Sequence, residues 1–186
     1  FIYEFVSGGG MWSLGAPPTG SFLAEGQAMA DARRADFAAS GADVHTLLDA
    51  RLPERAIRRA VRIAATAEER GAFERLAAEA DWTVVIAPET GGALSERCQW
   101  ATDAGARLLS PGPATIALAS NKQRTAEHLT EPGIAVPRGL ELPGKMTDTM
   151  RHPDLFPAVI KPLDGCGSQG VRRLESAAQL RDFVAD

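Results

Sequence analysis

The chain has 186 residues, of which 45% are hydrophobic and 24% are charged, and its net charge is −4 at pH 7. This composition predicts a packed core and excludes wholesale disorder. An acidic balance without a basic stripe argues against nucleic acid as the main partner, and no apolar run is long enough for a membrane helix. The length accommodates one complete domain and part of another.

The first half of the chain alternates between strand and helix patterns. Ser21 is expected to cap the first helix and Gly41 to end it. The alternation predicts a Rossmann-like parallel sheet between helical layers, ending near Gly112. The strands are expected at residues 1–6, 42–48, 60–65, 82–87 and 107–109, and the helices at 21–40, 66–80 and 94–104.

Polar loops follow two of these strands. Gly8, Gly9 and Gly10 come directly after the first strand, and Glu89 follows the fourth. Ligands of open parallel sheets bind beyond the carboxyl ends of the strands, so both loops are candidate ligand contacts. A flexible turn and a solvated loop carboxylate explain the same residues, and the sequence leaves both explanations open.

The second half begins with Pro113 as the first residue of a helix. Either Ser120 or Asn121 can cap the next helix, which carries Lys122 on its apolar side. A lysine in that position either extends its ammonium to solvent or directs it at a ligand. A strand is expected at 133–137, and Ser176 is expected to cap a final helix.

A glycine-rich hairpin near the end of the chain is the strongest local signal. The apolar run 158–160 is followed by Lys161 and by a turn containing Gly165, Gly167 and Gly170. Glycines let backbone amides approach a ligand closely, and successive amides beside an ammonium suit phosphate oxygens. The pattern lacks the Gly-Lys-Ser/Thr of a Walker A loop, and a plain hairpin with a surface lysine remains an alternative.

Lysine is rare in this chain. Only Lys122, Lys145 and Lys161 are lysines among 20 basic residues, and the remainder are arginines. A retained lysine in an arginine-rich sequence indicates a position that needs a compact ammonium. Lys145 lies in a predicted loop and has no assigned role. Cys98 and Cys166 show neither metal nor disulfide spacing, which favours a cytoplasmic setting.

The combination of these segments resembles the ATP-grasp superfamily. The resemblance rests on residues 121–122, 133–137, 159–162 and 164–171, with Asn121 and Ala135 where the family commonly has Asp and Pro. Residues 1–112 resemble the pre-ATP-grasp domain, and 113–186 resemble the first part of an incomplete α+β ATP-grasp domain. Residues 3–10 and 21–26 are similar to the branch that includes tyramine–L-glutamate ligase.

This resemblance implies a carboxylate–amine ligase that uses ATP and Mg²⁺ and forms an acyl phosphate. The residues implied in ATP binding are Lys122, Lys161, Gly165, Gly167, Ser168 and Gly170, and those on the substrate side are Gly8, Gly9, Gly10, Glu25 and Glu89. The metal ligands are expected beyond Asp186, so the chain is expected to be an inactive fragment of a longer enzyme.

The expected partners are a small carboxylate and an amine, and the strand edge at 158–161 is compatible with a homodimer. A non-catalytic α/β module that binds a small ligand is the alternative function. A Rossmann oxidoreductase is disfavoured, because Gly10 leads into a proline-rich loop instead of a helix.

Overall fold

A computed structural model describes residues 1–12, 17–142, 155–165 and 170–185. Its contacts divide the chain into two compact units, Phe1–Ala117 and Leu118–Asp186. The sequence placed this boundary at Gly112, and the assignment of the two ranges to named domains stays a prediction. Within the described ranges, no helix has both the length and the apolar character needed to cross a membrane.

The first unit is built on a four-stranded parallel sheet with the order β3-β2-β1-β4. A parallel bridge between Thr83 and Leu108 continues the pairing where the sequence predicted a last short strand. All three residues of β1 are buried, as expected for a central strand covered on both faces. The strands are β1 Ile2–Glu4, β2 Thr46–Asp49, β3 Ala60–Ile63 and β4 Val84–Ile86.

Helices cover both faces of this sheet. Successive side chains of a strand point to opposite faces, so Tyr3 and Glu4 identify the two layers. The Tyr3 ring contacts Phe73, whereas the Glu4 carboxylate faces Gly26. The first helix therefore lies on one face and the second on the other, which confirms the three-layer α/β architecture. The helices are α1 Gly20–Ala39, α2 Thr66–Glu79 and α3 Ala93–Asp103.

The core of the first unit centres on Phe73, which is completely buried. Its ring makes edge-to-face contacts with Phe1, Tyr3 and Trp100 at centroid distances of 5.4, 5.0 and 5.7 Å. Such aromatic pairs add about 0.5–1.5 kcal/mol each beyond the burial of their area. These contacts connect the central strand to both α2 and α3.

The predicted start of α1 is wrong, whereas its predicted end is confirmed. The helix begins at Gly20, with Thr19 as the N-cap, so Ser21 lies inside the first turn and caps nothing. Gly20 has a φ of +70°, a conformation that only glycine adopts readily and that lets the chain enter the helix before Ser21. Gly41, with a φ of +89°, follows the last turn as predicted.

The second unit contains the predicted hairpin. Strands β5, Ala158–Ile160, and β6, Arg172–Leu174, pair antiparallel. Helix α5 covers Lys122–Thr130 and α6 covers Ala177–Ala185, while the short helix α4, Pro113–Ala119, begins at the predicted proline. The division between the two units falls inside α4.

Two helix caps in this unit agree with the sequence, and one predicted strand is absent. The Ser176 hydroxyl accepts a hydrogen bond from the amide of Gln179 at 3.4 Å, directly before α6. The Asn121 side chain accepts hydrogen bonds from the amides of Gln123 and Arg124 at 3.0 and 2.9 Å, which decides the alternative left open with Ser120. Residues 134–142 have no regular structure, so the strand predicted at 133–137 is wrong. No described strand pairs with this segment. An apolar run forms a strand only where a neighbouring strand supplies the backbone hydrogen bonds.

Candidate functional site

A buried carboxylate organises the carboxyl end of β1. The Glu4 side chain is 2% exposed, and its oxygens accept hydrogen bonds from the amides of Val6 and Ser7 at 2.9 and 2.7 Å. The Ser7 hydroxyl donates a third bond at 2.6 Å. A buried carboxylate is costly unless donors surround it, and here the turn after the strand provides them. Glu4 therefore holds the start of the loop that the sequence assigned to substrate binding.

The glycines of that loop form a compact turn. The amides of Gly8 and Gly10 donate to the carbonyls of Glu4 and Phe5 at 2.8 and 2.9 Å. Gly9 has a φ of +105° and packs against Ile63. A Cβ at any of the three glycines would overlap an atom of the chain itself. The sterics of the turn thus explain the glycines, and their assignment to substrate binding stays a prediction.

A stacked pair of side chains adjoins this turn. The guanidinium of Arg51 lies 3.9 Å from the centre of the Trp12 ring, and the Trp12 amide donates to the Gly9 carbonyl at 3.1 Å. Asp49, the last residue of β2, is fully buried and pairs with Arg51 at 2.7 Å. The hydrogen bonds from Arg51 to the Asp49 carboxylate raise the pKa of the Arg51 guanidinium. The loops after β1 and β2 therefore meet at one edge of the sheet.

A second buried polar cluster lies on the α2 and α3 face. Arg97 donates to both carboxylate oxygens of Glu69, at 2.9 and 3.1 Å, and the Tyr3 hydroxyl donates to the same carboxylate. Burial, together with the charge of Glu69, raises the pKa of Tyr3 well above its usual range. The cluster ties the central strand to both helices on this face.

The two predicted substrate carboxylates lie at different positions in the first unit. Glu25 is exposed on α1, next to Gly26. Glu89 is half-buried before the short turn Thr90–Gly92 and makes no side-chain capping bond to it. The structure thus gives neither residue a ligand-like arrangement, and both assignments stay predictions.

A cavity of about 460 Å³ opens at the opposite edge of this sheet. It is lined by residues at the amino ends of the strands, among them Phe1, His45 and Trp82. None of the residues assigned to a site from the sequence lines it. Parallel sheets place their ligand sites at the carboxyl ends of the strands, so we do not assign the candidate site to this cavity.

In the second unit, Lys122 reaches the turn after β5. Its ammonium donates to the carbonyls of Leu163 and Gly165 at 3.4 and 2.9 Å, and its amide donates to the Leu163 carbonyl at 3.0 Å. The half-buried position agrees with the prediction that Lys122 faces away from open solvent. One lysine therefore anchors the beginning of the glycine-rich turn.

Lys161 lies at the end of β5, where its side chain is exposed. Gly165 and Gly170 have φ angles of +93° and +69°, so both ends of the turn use conformations that favour glycine. The predictions for Gly167 and Ser168 concern positions outside the described residues. The structure thus brings Lys122 of α5 into contact with Gly165, in the turn that follows Lys161.

The described residues offer no binding site for Mg²⁺. Over the described ranges, no group of three or more histidine, cysteine, aspartate or glutamate side chains could hold a metal ion. We therefore assign no metal ligand and derive no step through the ion.

Three residues of the first unit were not singled out from the sequence, namely Trp12, Asp49 and Arg51. Asp49 could have been noticed as a carboxylate at the carboxyl end of a predicted strand. The pairing of Trp12 with Arg51 joins two loops that are distant in sequence, and no local pattern indicates it.

Comparison with known proteins agrees with this architecture. Residues 42–116 match the family described as the pre ATP-grasp 3 domain. No curated protein sequence matches the chain. A crystal structure from Archaeoglobus fulgidus, provisionally assigned to the ATP-grasp superfamily, matches with a TM-score of 0.63 and 18% identity.

That match covers 89% of this chain and 46% of the other one, so the chain spans about half the length of the structure it resembles. At this level of identity the likeness establishes the fold. The family match lies within the first unit and covers its sheet from β2 onward. The family match is confined to the first unit, and the structural match shows a shared fold over most of the chain.

Proposed function

We propose that the chain forms the first part of an ATP-dependent carboxylate–amine ligase. The observation that carries the proposal is the β5–β6 hairpin, which presents Lys161 beside a glycine-rich turn anchored by Lys122. The matches to the pre-ATP-grasp family and to the A. fulgidus structure support the same class of protein.

The two lysines have different tasks in this proposal. Lys161 is exposed, so its ammonium is available to pair with a phosphate oxygen. The Lys122 ammonium donates two of its three N–H groups to backbone carbonyls, which leaves the third for a phosphate oxygen of the same ATP molecule. Charge-assisted hydrogen bonds are the strong ones, and a glycine turn admits the phosphates close to the backbone.

Bound ATP would transfer its γ-phosphoryl group to a carboxylate, which gives an acyl phosphate and ADP. An amine would then attack the acyl carbon, which forms the amide and releases inorganic phosphate. We propose an amino acid or a similar small acid as the carboxylate, following the resemblance of residues 3–10 and 21–26 to the branch that includes tyramine–L-glutamate ligase. Gly8–Gly10, Glu25 and Glu89 would lie on the substrate side, and a cytoplasmic location with Mg²⁺ as the counter-ion belongs to the same proposal.

The test is ATP·Mg²⁺ binding by calorimetry on the full-length protein. We expect Lys161→Ala to weaken binding about 10- to 100-fold, because a hydrogen bond to a charged group contributes about 1.5–3 kcal/mol. Arg181→Ala is the matched control, since it removes one exposed positive charge from α6 and should leave the affinity unchanged.

Two results would count against the ligase. Equal affinities for the Lys161→Ala variant and the unmodified protein would remove Lys161 from the nucleotide site. Absence of ATP binding by the full-length protein would leave the non-catalytic ligand-binding module as the better description.

A further inference from the structure

We propose that Trp12 and Arg51 form a binding site for a small carboxylate at the carboxyl edge of the parallel sheet. No other assignment in the molecule involves this pair. The site belongs to the first unit, so it can bind its ligand whether or not the second unit binds ATP.

The first reason is a pair of donors without partners. The Nη1 group of Arg51 and the Nε1 group of Trp12 are both buried, and neither has a hydrogen-bond partner among the described residues. Leaving a buried donor unpaired is unfavourable, and native proteins rarely retain such groups without a use for them. Two such donors on one stacked pair indicate a missing acceptor.

The second reason is the way Asp49 holds the guanidinium. Nε of Arg51 lies 3.1 Å from each carboxylate oxygen of Asp49, and Nη2 lies 2.7 Å from Oδ2. The Arg51 amide donates to Oδ1 at 2.8 Å. One edge of the guanidinium is thus occupied and its plane is fixed, while Nη1 remains for another acceptor. A preorganised donor of this kind binds an anion at a low entropic cost.

The third reason is the local charge. Arg62 places a second guanidinium on the same turn, where its Nη2 donates to the carbonyls of Ala50 and Leu52 at 3.1 and 2.6 Å. This guanidinium adds a second positive charge to the turn beside Arg51.

A carboxylate suits these donors better than a neutral amide does. Its two oxygens are acceptors only, so one can accept from the Trp12 indole and the other from the guanidinium. The location agrees with the rule that ligands of open parallel sheets bind at the carboxyl ends of the strands. The Arg51 side chain is 15% exposed, so its guanidinium lies close to the surface of the unit.

The experiment is a titration of the chain with acetate, followed by NMR at the indole N–H signals. The protein has three tryptophans, and Trp82 and Trp100 serve as internal references. We expect a saturable downfield shift of the Trp12 signal with acetate and none with acetamide, which has the same shape without the charge. Inorganic phosphate is the second probe, and it should bind at least threefold more weakly than acetate.

Two conservative variants separate binding from folding. Arg51→Lys keeps the charge but loses the planar fork, and we expect it to weaken acetate binding about tenfold. Trp12→Phe keeps an aromatic ring but removes the indole N–H. The indole signal that disappears in this variant is therefore that of Trp12. The titration of the unmodified chain decides the question even if a variant fails to fold.

Absence of a saturable Trp12 shift would overturn the proposal and would leave ordered water as the acceptor of both donors. An equal response to acetamide, or to phosphate, would overturn the preference for a carboxylate. A carboxylate response without ATP binding would support this site and contradict the ligase, so the two proposals fail separately.

Discussion

Gly26 provides a sensitive test of how the buried carboxylate organises the first loop. A Cβ at this position would lie 2.6 and 2.8 Å from the two carboxylate oxygens of Glu4, inside the 3.0 Å that real Cβ atoms keep. Glu4 is held by three hydrogen bonds and is 2% exposed, so it cannot move aside without losing them. Gly26→Ala should therefore destabilise the protein.

The magnitude follows from two opposing effects. Alanine is better than glycine in a helix by about 1 kcal/mol, whereas overpacking a buried site costs about 1–3 kcal/mol. Displacing Glu4 also weakens its bonds to the turn, each contributing about 1 kcal/mol. We expect Gly26→Ala to lower the free energy of unfolding by about 1–2 kcal/mol.

Gly71→Ala is the matched control, because Gly71 lies inside α2 and a Cβ there would meet nothing within 4 Å. The helix-propensity gain should then appear alone, as a stabilisation of about 0.5–1 kcal/mol. Urea unfolding of both variants measures the difference, and the two signs should be opposite. A stabilising Gly26→Ala would refute the close packing of Glu4 against α1.

Two further predictions concern single side chains. Tyr3 is the one tyrosine of the chain, and its raised pKa means that the folded state holds the phenolic proton more tightly than the unfolded state. The resulting stability is present below pH 10.0, the ordinary pKa of tyrosine, and is lost as the pH rises above that value. Tyrosinate absorbance should therefore appear only as the protein unfolds. Tyrosinate in the folded protein near pH 10.0 would contradict this prediction. Asn121→Ala should destabilise the second unit by about 1 kcal/mol in urea unfolding because it removes the α5 cap, whereas Ser120→Ala should have little effect.

Many elements of the fold were predictable from local patterns. The continuous apolar run at Val84–Ile86 is a strand with Val85 buried, and the proline at 113 begins a helix as expected. Periodicity and turn residues act over a few positions, so one sequence window carries enough information for such elements. The error at 133–137 arose because a strand also requires a pairing partner, which no local pattern specifies.

The residues of the candidate sites also divide into those that local patterns indicate and those that depend on distant contacts. Lys122 and Lys161 were singled out from the sequence because lysine is rare in the chain and because glycines follow one of them, and their roles stay predictions. The contact of the Lys122 ammonium with the Gly165 carbonyl was not predictable, since the two residues are separated by 43 positions. The structure also shows that packing accounts for Gly8, Gly9 and Gly10, an explanation that the sequence could only leave open.

The sequence by itself determined the α/β class, the order of most elements and the glycine-rich hairpin, because these depend on residues that are neighbours along the chain. Only the tertiary structure decided that Trp12 stacks on Arg51, that Asp49 holds the guanidinium and that Tyr3 shares Glu69 with Arg97. Parallel strands bring distant loops to one edge of the sheet, and burial then decides which polar groups must find partners there.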